Sequence, residues 1–351
     1  MKNALKLCAS AAVCLMAATA PATLAQQADI QTPSPWNPDY EPPRMADGTP
    51  DFTGVWSKAS ITTIERSAQF DDLVVPPEIA QNAEEMRSRL FAERRTDPEE
   101  GAPPAGQNVG GYNAFWLDPG SNIGVVNGEY RSSWIVEPAD GRLPYSEAGR
   151  AEMEAAVDAA WNNYDDPEVR SAAERCTVGY GSTGTPPMLN VLYNNHVQFY
   201  QTPEQVTILV EMNHNARIIR MNADHRAPEL RQWLGDSVGH WDGDTLVVET
   251  TNFHPDISQR SSQAQRFYLQ PDTLVEERFT RVADDTIFYE YTVTDPDIFT
   301  QPWRAEMPLW RAEGPIFEYA CHEGNYSLPG ILAGARREEA MAQSDNAGGG
   351  Q

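Results

Sequence analysis

The chain has 351 residues, of which 40% are hydrophobic, and it carries a formal net charge of −25. This excess of acidic residues argues against nucleic acid and anionic membrane surfaces as partners, because both bind through clustered Lys and Arg. Beyond the N-terminal segment, no apolar stretch is long enough for a membrane-spanning helix, so we predict no membrane span.

The first 25 residues have the pattern of a secretory signal peptide. Lys2 and Lys6 give a basic start, residues 11–20 are apolar, and a processing site ends at Ala25. Cleavage near Ala25 would remove two lysines and no acid, so the formal charge would change from −25 to −27. The pattern therefore predicts a periplasmic or secreted protein.

Two cysteines, Cys176 and Cys321, remain after the predicted cleavage. An oxidising compartment favours a disulfide between them, worth at most about 5 kcal/mol for a loop of this length in the chain-entropy model. Two unpaired buried thiols are the alternative. Neither Cys has the paired spacing of a metal site.

Composition divides the rest of the chain into three parts. Residues 26–50 are rich in Pro, Asp and Gln and predict an extended lead-in, whereas residues 336–351 predict a disordered tail. Residues 51–335 are expected to form a single domain. Helical insertions are predicted in its N-terminal half near 76–95 and 146–163, where a Pro and a capping Ser precede apolar residues at helical spacing.

From Met188 onward the hydrophobic period changes to two. Turn signals recur every 8–12 residues, a spacing that predicts about eight to ten strands in a sandwich or barrel. The clearest pair lies between Trp233 and Phe253, folded through Asp242-Gly243-Asp244, because Gly supplies the positive φ that the turn needs.

The segment Asp51-Phe-Thr-Gly-Val-Trp56 resembles the Gly-x-Trp opening of lipocalin-like (calycin) barrels, in which the Trp closes one end, and Gly239-His-Trp241 repeats it. This resemblance implies a mainly β fold, an antiparallel calycin-like barrel. Residues 50–335 also resemble an uncharacterised family of exported bacterial proteins, to which we attach no activity. The shared blocks are GVW at 54–56, WLGDSVG at 233–239, WDGDTLVV at 241–248, DPDIFTQPW at 295–303 and YACHEGN at 319–325.

Candidate catalytic residues cluster around one predicted strand. His214 and His225 lie in the turns before and after it, and Arg217 lies on it. Two imidazoles and a guanidinium at one barrel mouth would bind a carboxylate and move protons. The alternative places both His in exposed turns and pairs Arg217 with a nearby acid.

A second group of candidates comes from the predicted hairpin. Glu249 would suit general acid/base work if it faces the barrel interior, but the opposite strand register would turn it to solvent. Asp236 and Asn252 are expected to orient the reacting groups.

The aromatic content predicts the kind of ligand. A barrel of this size tends to keep a cavity lined by aromatic side chains. A small hydrophobic or aromatic molecule bearing a carboxylate or phenol is the expected partner, bound by Trp233, Tyr291, Trp303 and Arg304.

Several motifs are missing from the sequence. It contains no Gly-x-Ser-x-Gly and no phosphate-binding Gly loop, so neither a hydrolase elbow nor a nucleotide cofactor is expected. His254, His322 and Glu323 lack metal-ligand spacing, and we predict no metal and no other cofactor.

Three functions are compatible with these features. The first is an exported, cofactor-independent enzyme that acts on a small hydrophobic or phenolic molecule by acid/base chemistry of the lyase type, such as decarboxylation or elimination. The second is a non-catalytic periplasmic carrier of apolar small ligands. The third is a structural or envelope-associated protein. Fold alone does not choose among them.

Overall fold

The computed structural model describes residues 33–94, 118–263 and 265–348. The predicted signal peptide and the start of the lead-in lie outside these ranges. The described part of the lead-in, 33–50, contains turns and one bridge between Arg44 and Pro50.

The described residues form fifteen strands, three α-helices and three short 3-10 helices. The α-helices are α1 (Pro77–Arg94), α2 (Glu147–Asn162) and α3 (Ser327–Gly348). The strands are β1 (Gly54–Ser57), β2 (Val74–Val75), β3 (Val125–Val126), β4 (Glu129–Arg131), β5 (Ile135–Glu137), β6 (His196–Gln201), β7 (Gln205–Val210), β8 (Ala216–Met221), β9 (Asp236–Asp242), β10 (Thr245–Thr251), β11 (Gln259–Ser262), β12 (Gln265–Tyr268), β13 (Leu274–Ala283), β14 (Thr286–Thr294) and β15 (Trp303–Arg311).

Nine strands close into a barrel in the order β1-β6-β7-β8-β9-β10-β13-β14-β15, with β15 pairing back to β1 and β5 added beside β15. The predicted mainly β fold is confirmed, and the closed barrel is compatible with a calycin-like fold. The barrel is mixed, however, and the expectation of a purely antiparallel sheet is wrong. β8 and β9 run parallel, because residues 222–235 carry the chain back before β9 begins.

The predicted hairpin is β9–β10. Asp242 pairs with Thr245 across a two-residue turn, in which Gly243 has a φ of +60°. This register also fixes which side chains face inward, since Val248 and Thr250 are buried and their neighbour Glu249 is exposed.

One end of the barrel is closed around the first Gly-x-Trp segment. Trp56 is fully buried, and its indole N–H donates to the Phe52 carbonyl at 2.9 Å. Trp241 of the second segment stacks on the Phe52 ring with centroids 5.7 Å apart. The guanidinium groups of Arg281 and Arg311 lie over the Trp56 ring.

The other end is filled by residues 181–191, which are all buried and which we call the plug. Lys58 donates to the Thr183 carbonyl at 2.8 Å, and the Met188 amide donates to the Tyr289 hydroxyl at 2.9 Å. The plug also approaches Val210 so closely at Gly184 that a Cβ there would lie 2.4 Å from a valine methyl. The plug therefore closes this end of the barrel.

Helices α1 and α2 occupy the two segments predicted to be helical. Ser146 caps α2, accepting from the Gly149 amide at 2.9 Å. Helix α3 extends through residues 336–348, where the composition predicted a disordered tail. The run Ala333–Gln343 consists largely of strong helix formers, which favours this conformation although few of its side chains are covered. Within the described ranges, no helix has the length and apolar character needed to cross a membrane.

Candidate functional site

Arg217 lies inside the barrel and is fully engaged there. Its Nη1 donates to the Glu277 carboxylate at 3.0 Å, and its Nη2 bonds to the second oxygen of the same carboxylate. Its Nε donates to Ser237 at 3.0 Å, and Nη2 also donates to Thr250 at 2.9 Å. Because both Arg217 and Glu277 are buried, this cation is neutralised internally, and the predicted role as an anion clamp does not fit its position.

His225, Asp236 and Asn252 meet in a different network, on the outer side of the barrel wall. The Asp236 carboxylate accepts from Arg220 at 3.0 Å and from the Arg226 amide at 2.7 Å, and His225 Nδ1 lies 3.2 Å away. Asn252 donates to the Arg226 carbonyl at 3.1 Å. Burial opposes ionisation of Asp236, but these hydrogen bonds outweigh it and lower its pKa.

Strand alternation separates this network from Arg217. Ser237 of β9 points inward and bonds to Arg217, so its neighbour Asp236 points outward. The candidates Asp236 and Arg217 therefore lie on opposite sides of the barrel wall. Glu249 also points outward and is exposed, whereas the carboxylate inside the barrel is that of Glu277, paired with Val248 in the register. The predicted catalytic set is therefore not assembled.

The predicted binding residues are also dispersed. Arg304 lies on the outer face in contact with the carboxylates of Glu137, Glu290 and Glu306. Tyr291 and Trp303 are fully buried inside the barrel, where their rings pack edge to face with centroids 5.8 Å apart.

Trp233 stacks on the His254 ring outside the barrel interior, with centroids 4.0 Å apart. These positions do not form the expected common cavity. The physical reason is that the plug and the interior side chains fill the space in which such a cavity was expected.

Two adjoining clefts, of about 360 and 990 Å³, lie beside the plug. Their shared wall includes Glu174, Tyr193 and Tyr319. Volumes of this order suit a small-molecule ligand. We call these two spaces together the tyrosine cleft.

The segment 313–326, which we call the strap, forms one wall of the tyrosine cleft. The predicted disulfide between Cys176 and Cys321 is confirmed and ties the strap to the segment before the plug. His214 is exposed, and its Nε2 accepts from the Tyr319 amide at 3.1 Å. His214 therefore bonds to the strap, and among the described residues no hydrogen bond or ion pair joins it to Arg217 or His225.

Three tyrosines line the tyrosine cleft. The hydroxyl groups of Tyr180 and Tyr193 lie 2.7 Å apart, and the ring centroids of Tyr193 and Tyr319 are 6.0 Å apart. Burial raises the pKa of all three phenols above the usual value. All three phenols therefore stay neutral to a higher pH than an ordinary phenol. A hydroxyl that does not donate within the Tyr180–Tyr193 pair can donate a hydrogen bond to an oxygen of a ligand.

A charged pair lies on the same wall. Arg170 donates to Glu174 at 2.9 Å, and Ser171 also donates to this carboxylate. Burial opposes ionisation of Glu174, but the bonds from Arg170 and Ser171 prevail and lower its pKa. This part of the wall therefore presents fixed, paired charge.

The titratable group best placed for chemistry is His196. Its Nδ1 lies 2.9 Å from an oxygen of Glu211, whose other oxygen accepts from the Phe317 amide at 3.0 Å. Glu211 is buried, which disfavours its charge, yet the bonds from His196 and Phe317 lower its pKa. A buried carboxylate of this kind fixes the orientation and tautomer of the imidazole, leaving Nε2 for proton transfer.

Sequence reasoning missed this pair, although a signal for it was present. Residues 201–205 are typical of a turn, and strands β6 and β7 pair antiparallel across them, with Val197 opposite Val210. Counting one residue further on each strand brings His196 and Glu211 together at the strand ends.

Lys58 lies beneath the cleft as a second unusual group. It is fully buried, and burial lowers its pKa from 10.5 to about 7, with the negative charge of Glu211 opposing part of that shift. Between these two pH values the unfolded chain holds a proton that the folded chain has lost, so stability rises with pH across this window. The cost of burying Lys58 is therefore complete below about pH 7 and disappears above about pH 10.5.

We accordingly expect Lys58→Met to raise the free energy of unfolding at pH 7, by at most about 5 kcal/mol at 1.4 kcal/mol per pKa unit. The gain over wild type should shrink as pH rises towards 10.5. Urea unfolding of both proteins at several pH values checks this. A difference that stays constant with pH would show that Lys58 is not responsible.

Among the described residues, no group of three or more His, Cys, Asp or Glu side chains is arranged to hold a metal ion. Comparison of this chain with protein-family models, curated proteins and solved structures finds no match. The resemblance to exported bacterial proteins therefore stays a prediction from the sequence blocks.

Proposed function

We propose that this protein is a cofactor-independent enzyme that acts by acid/base chemistry on a small hydrophobic or phenolic molecule bound in the tyrosine cleft. The observation that supports this most is the His196–Glu211 pair on the wall of a cleft also lined by Tyr193 and Tyr319. His196, and not His214 or His225, is therefore the proposed general base.

The proposed chemistry uses each group in a defined way. Glu211 accepts a hydrogen bond from Nδ1–H, so Nε2 of His196 is free to remove a proton from a phenol or from a carbon beside a carbonyl. Phenolic hydroxyls of the cleft donate to the oxygen on which negative charge develops.

A lyase step of this kind needs no cofactor, because the substrate and His196 account for the protons and electrons that move. In a decarboxylation His196 first takes the phenol proton, and the electron pair of the broken carbon–carbon bond stays on the substrate carbon. Protonated His196 gives its proton to that carbon as carbon dioxide leaves, and water reprotonates the phenolate. In an elimination, the proton taken by His196 passes to the leaving group.

We propose that the enzyme works in the periplasm or outside the cell. The pattern of the first 25 residues supports export, although it lies outside the described ranges. The Cys176–Cys321 disulfide supports an oxidising compartment independently of that pattern.

Incubation with a panel of phenolic, terpenoid and fatty acids, followed by LC–MS, tests the proposal. We expect one class to lose carbon dioxide or water, and His196→Ala to slow that conversion by about 10²- to 10⁴-fold, the usual contribution of a positioned base. His240→Ala, which alters an exposed His on β9, serves as the matched control and should be neutral. Unchanged turnover in a folded His196→Ala protein would overturn this assignment.

The carrier function is a second candidate, and the linked Tyr180 and Tyr193 hydroxyls favour it because they form a binding surface without needing His196. A carrier would retain one compound through purification and return it unchanged. Its affinity would fall on Tyr193→Phe but not on His196→Ala, which distinguishes it from an enzyme in the same experiment.

A further inference from the structure

A separate cleft of about 430 Å³ lies outside the barrel, beside the turn between β13 and β14. Its aromatic walls come from two distant parts of the chain, Trp36 and Tyr40 of the lead-in and Trp310 of β15. Its rim carries Asp284 and Asp285, the two residues of the turn. Nothing in the proposed enzyme function uses this space.

The lead-in is fixed against the barrel at this cleft. The Trp36 ring packs on Phe288 with centroids 4.9 Å apart, and the Trp36 amide donates to Asn127 at 3.0 Å. Gly128 approaches the backbone of Pro35 so closely that a Cβ at Gly128 would lie 2.7 Å from the Pro35 nitrogen. The aromatic wall is thus held in place before any ligand arrives, which reduces the cost of binding.

The charges around the cleft favour a cation. The side chain of Asp284 accepts from the Tyr40 hydroxyl and that of Asp285 from the Thr286 hydroxyl, both at 3.0 Å, so the contacts of both carboxylates are with neutral groups. The neighbouring Arg281 bonds to backbone carbonyls, among them that of Asp284, lies over Trp56 and also interacts with the Tyr40 hydroxyl. It therefore offsets the charge of Asp284 in part, and Asp285 carries most of the attraction for a cation. Among the described residues that line this cleft there is neither Lys nor Arg.

We propose that this cleft binds a small organic cation with a quaternary ammonium group. Indole and phenol faces attract such cations through their quadrupoles, and nearby carboxylates add a Coulombic attraction that does not require a hydrogen-bond donor on the ligand. The net charge of −25 would also concentrate cations near the surface.

Calorimetric titration of the purified protein with choline tests the site. Its matched probe is 3,3-dimethyl-1-butanol, which has the same shape without the charge. We expect choline to bind at least about tenfold more tightly than the alcohol, the ratio that a partly desolvated cation–π contact provides.

Three variants locate the site. Trp310→Ala should weaken choline binding about tenfold, and Asp285→Asn should weaken it severalfold while leaving the alcohol unaffected. Glu249→Gln, which neutralises an exposed carboxylate outside the cleft, is the control and should change neither. Because Asp285 is exposed in a turn, this variant should fold even if Trp310→Ala does not.

Equal affinity for choline and the alcohol would overturn the proposal. So would the absence of heat at millimolar choline, or binding that survives both Trp310→Ala and Asp285→Asn. Each of these outcomes leaves the proposed acid/base function untouched, because the two clefts share no residue.

Discussion

Arg217→Ala is expected to lower the free energy of unfolding by about 3–5 kcal/mol, the usual cost of removing one partner of a buried ion pair. The change would leave the Glu277 carboxylate inside the barrel with only the Tyr289 hydroxyl, 2.7 Å away, to compensate its charge. Urea unfolding followed by circular dichroism measures the loss.

Two further variants make this result specific. Arg278→Ala removes a half-exposed pair with Asp242 on the same barrel and should cost at most about 1 kcal/mol. The double change Arg217→Met with Glu277→Leu removes both charges together and should be more stable than Arg217→Ala. A single-variant cost near that of Arg278→Ala would show that the interior pair does not support the barrel.

The second large effect concerns the disulfide. Replacing Cys176 and Cys321 by Ser is expected to lower the free energy of unfolding by up to about 5 kcal/mol, because the bond closes a long loop in the unfolded chain. The sequence separation of 145 residues sets this scale. Unfolding curves with and without a reductant measure it.

The same pair provides its own control. The other two cysteines, Cys8 and Cys14, belong to the predicted signal peptide, so a reductant should affect the mature protein only through Cys176–Cys321. The double Ser variant should therefore be insensitive to reductant. Wild-type stability that does not change on full reduction would contradict the account, because it would show that the disulfide does not contribute to the free energy of unfolding. The strap would then be held by its hydrogen bonds alone.

The elements that local patterns specify could be predicted from the sequence. The hairpin around Gly243 follows from its turn chemistry, α2 follows from its Ser146 cap, and Cys176–Cys321 follows from the count of cysteines in an exported chain. In each case the signal lies within a few residues or in a single possible pairing.

Features set by long-range packing could not be predicted. Nothing in the local pattern of the plug predicts its position, and only its contacts with Lys58, Tyr289 and Val210 show that it enters the barrel. Similarly, the direction of Glu249 depends on a register that one residue of slippage would reverse. The parallel pairing of β8 with β9 depends on the path of the intervening segment, which has no period of its own.

The candidate site shows the same division. The predicted catalytic residues belong to one strand with its turns and to the next hairpin, whereas His196 and Glu211 lie at the ends of β6 and β7 and meet only through the register of that pair. The strap adds Tyr319 from more than a hundred residues further on. Conversely, His214, Arg217 and His225 are close in sequence but are directed by strand geometry into three separate networks.

Hydrogen–deuterium exchange with a bound hydroxycinnamic acid tests the central claim, that the tyrosine cleft is the ligand site, most directly. We predict that the ligand slows amide exchange in the strap and around Tyr180 and Tyr193, and that Tyr193→Phe reduces this protection. Protection confined to residues 222–235 around His225, or to the barrel strands around Tyr291 and Trp303, would contradict the account and return the site to the positions that sequence alone indicated. If no phenolic, terpenoid or fatty acid of the panel protects the strap, the account is equally contradicted.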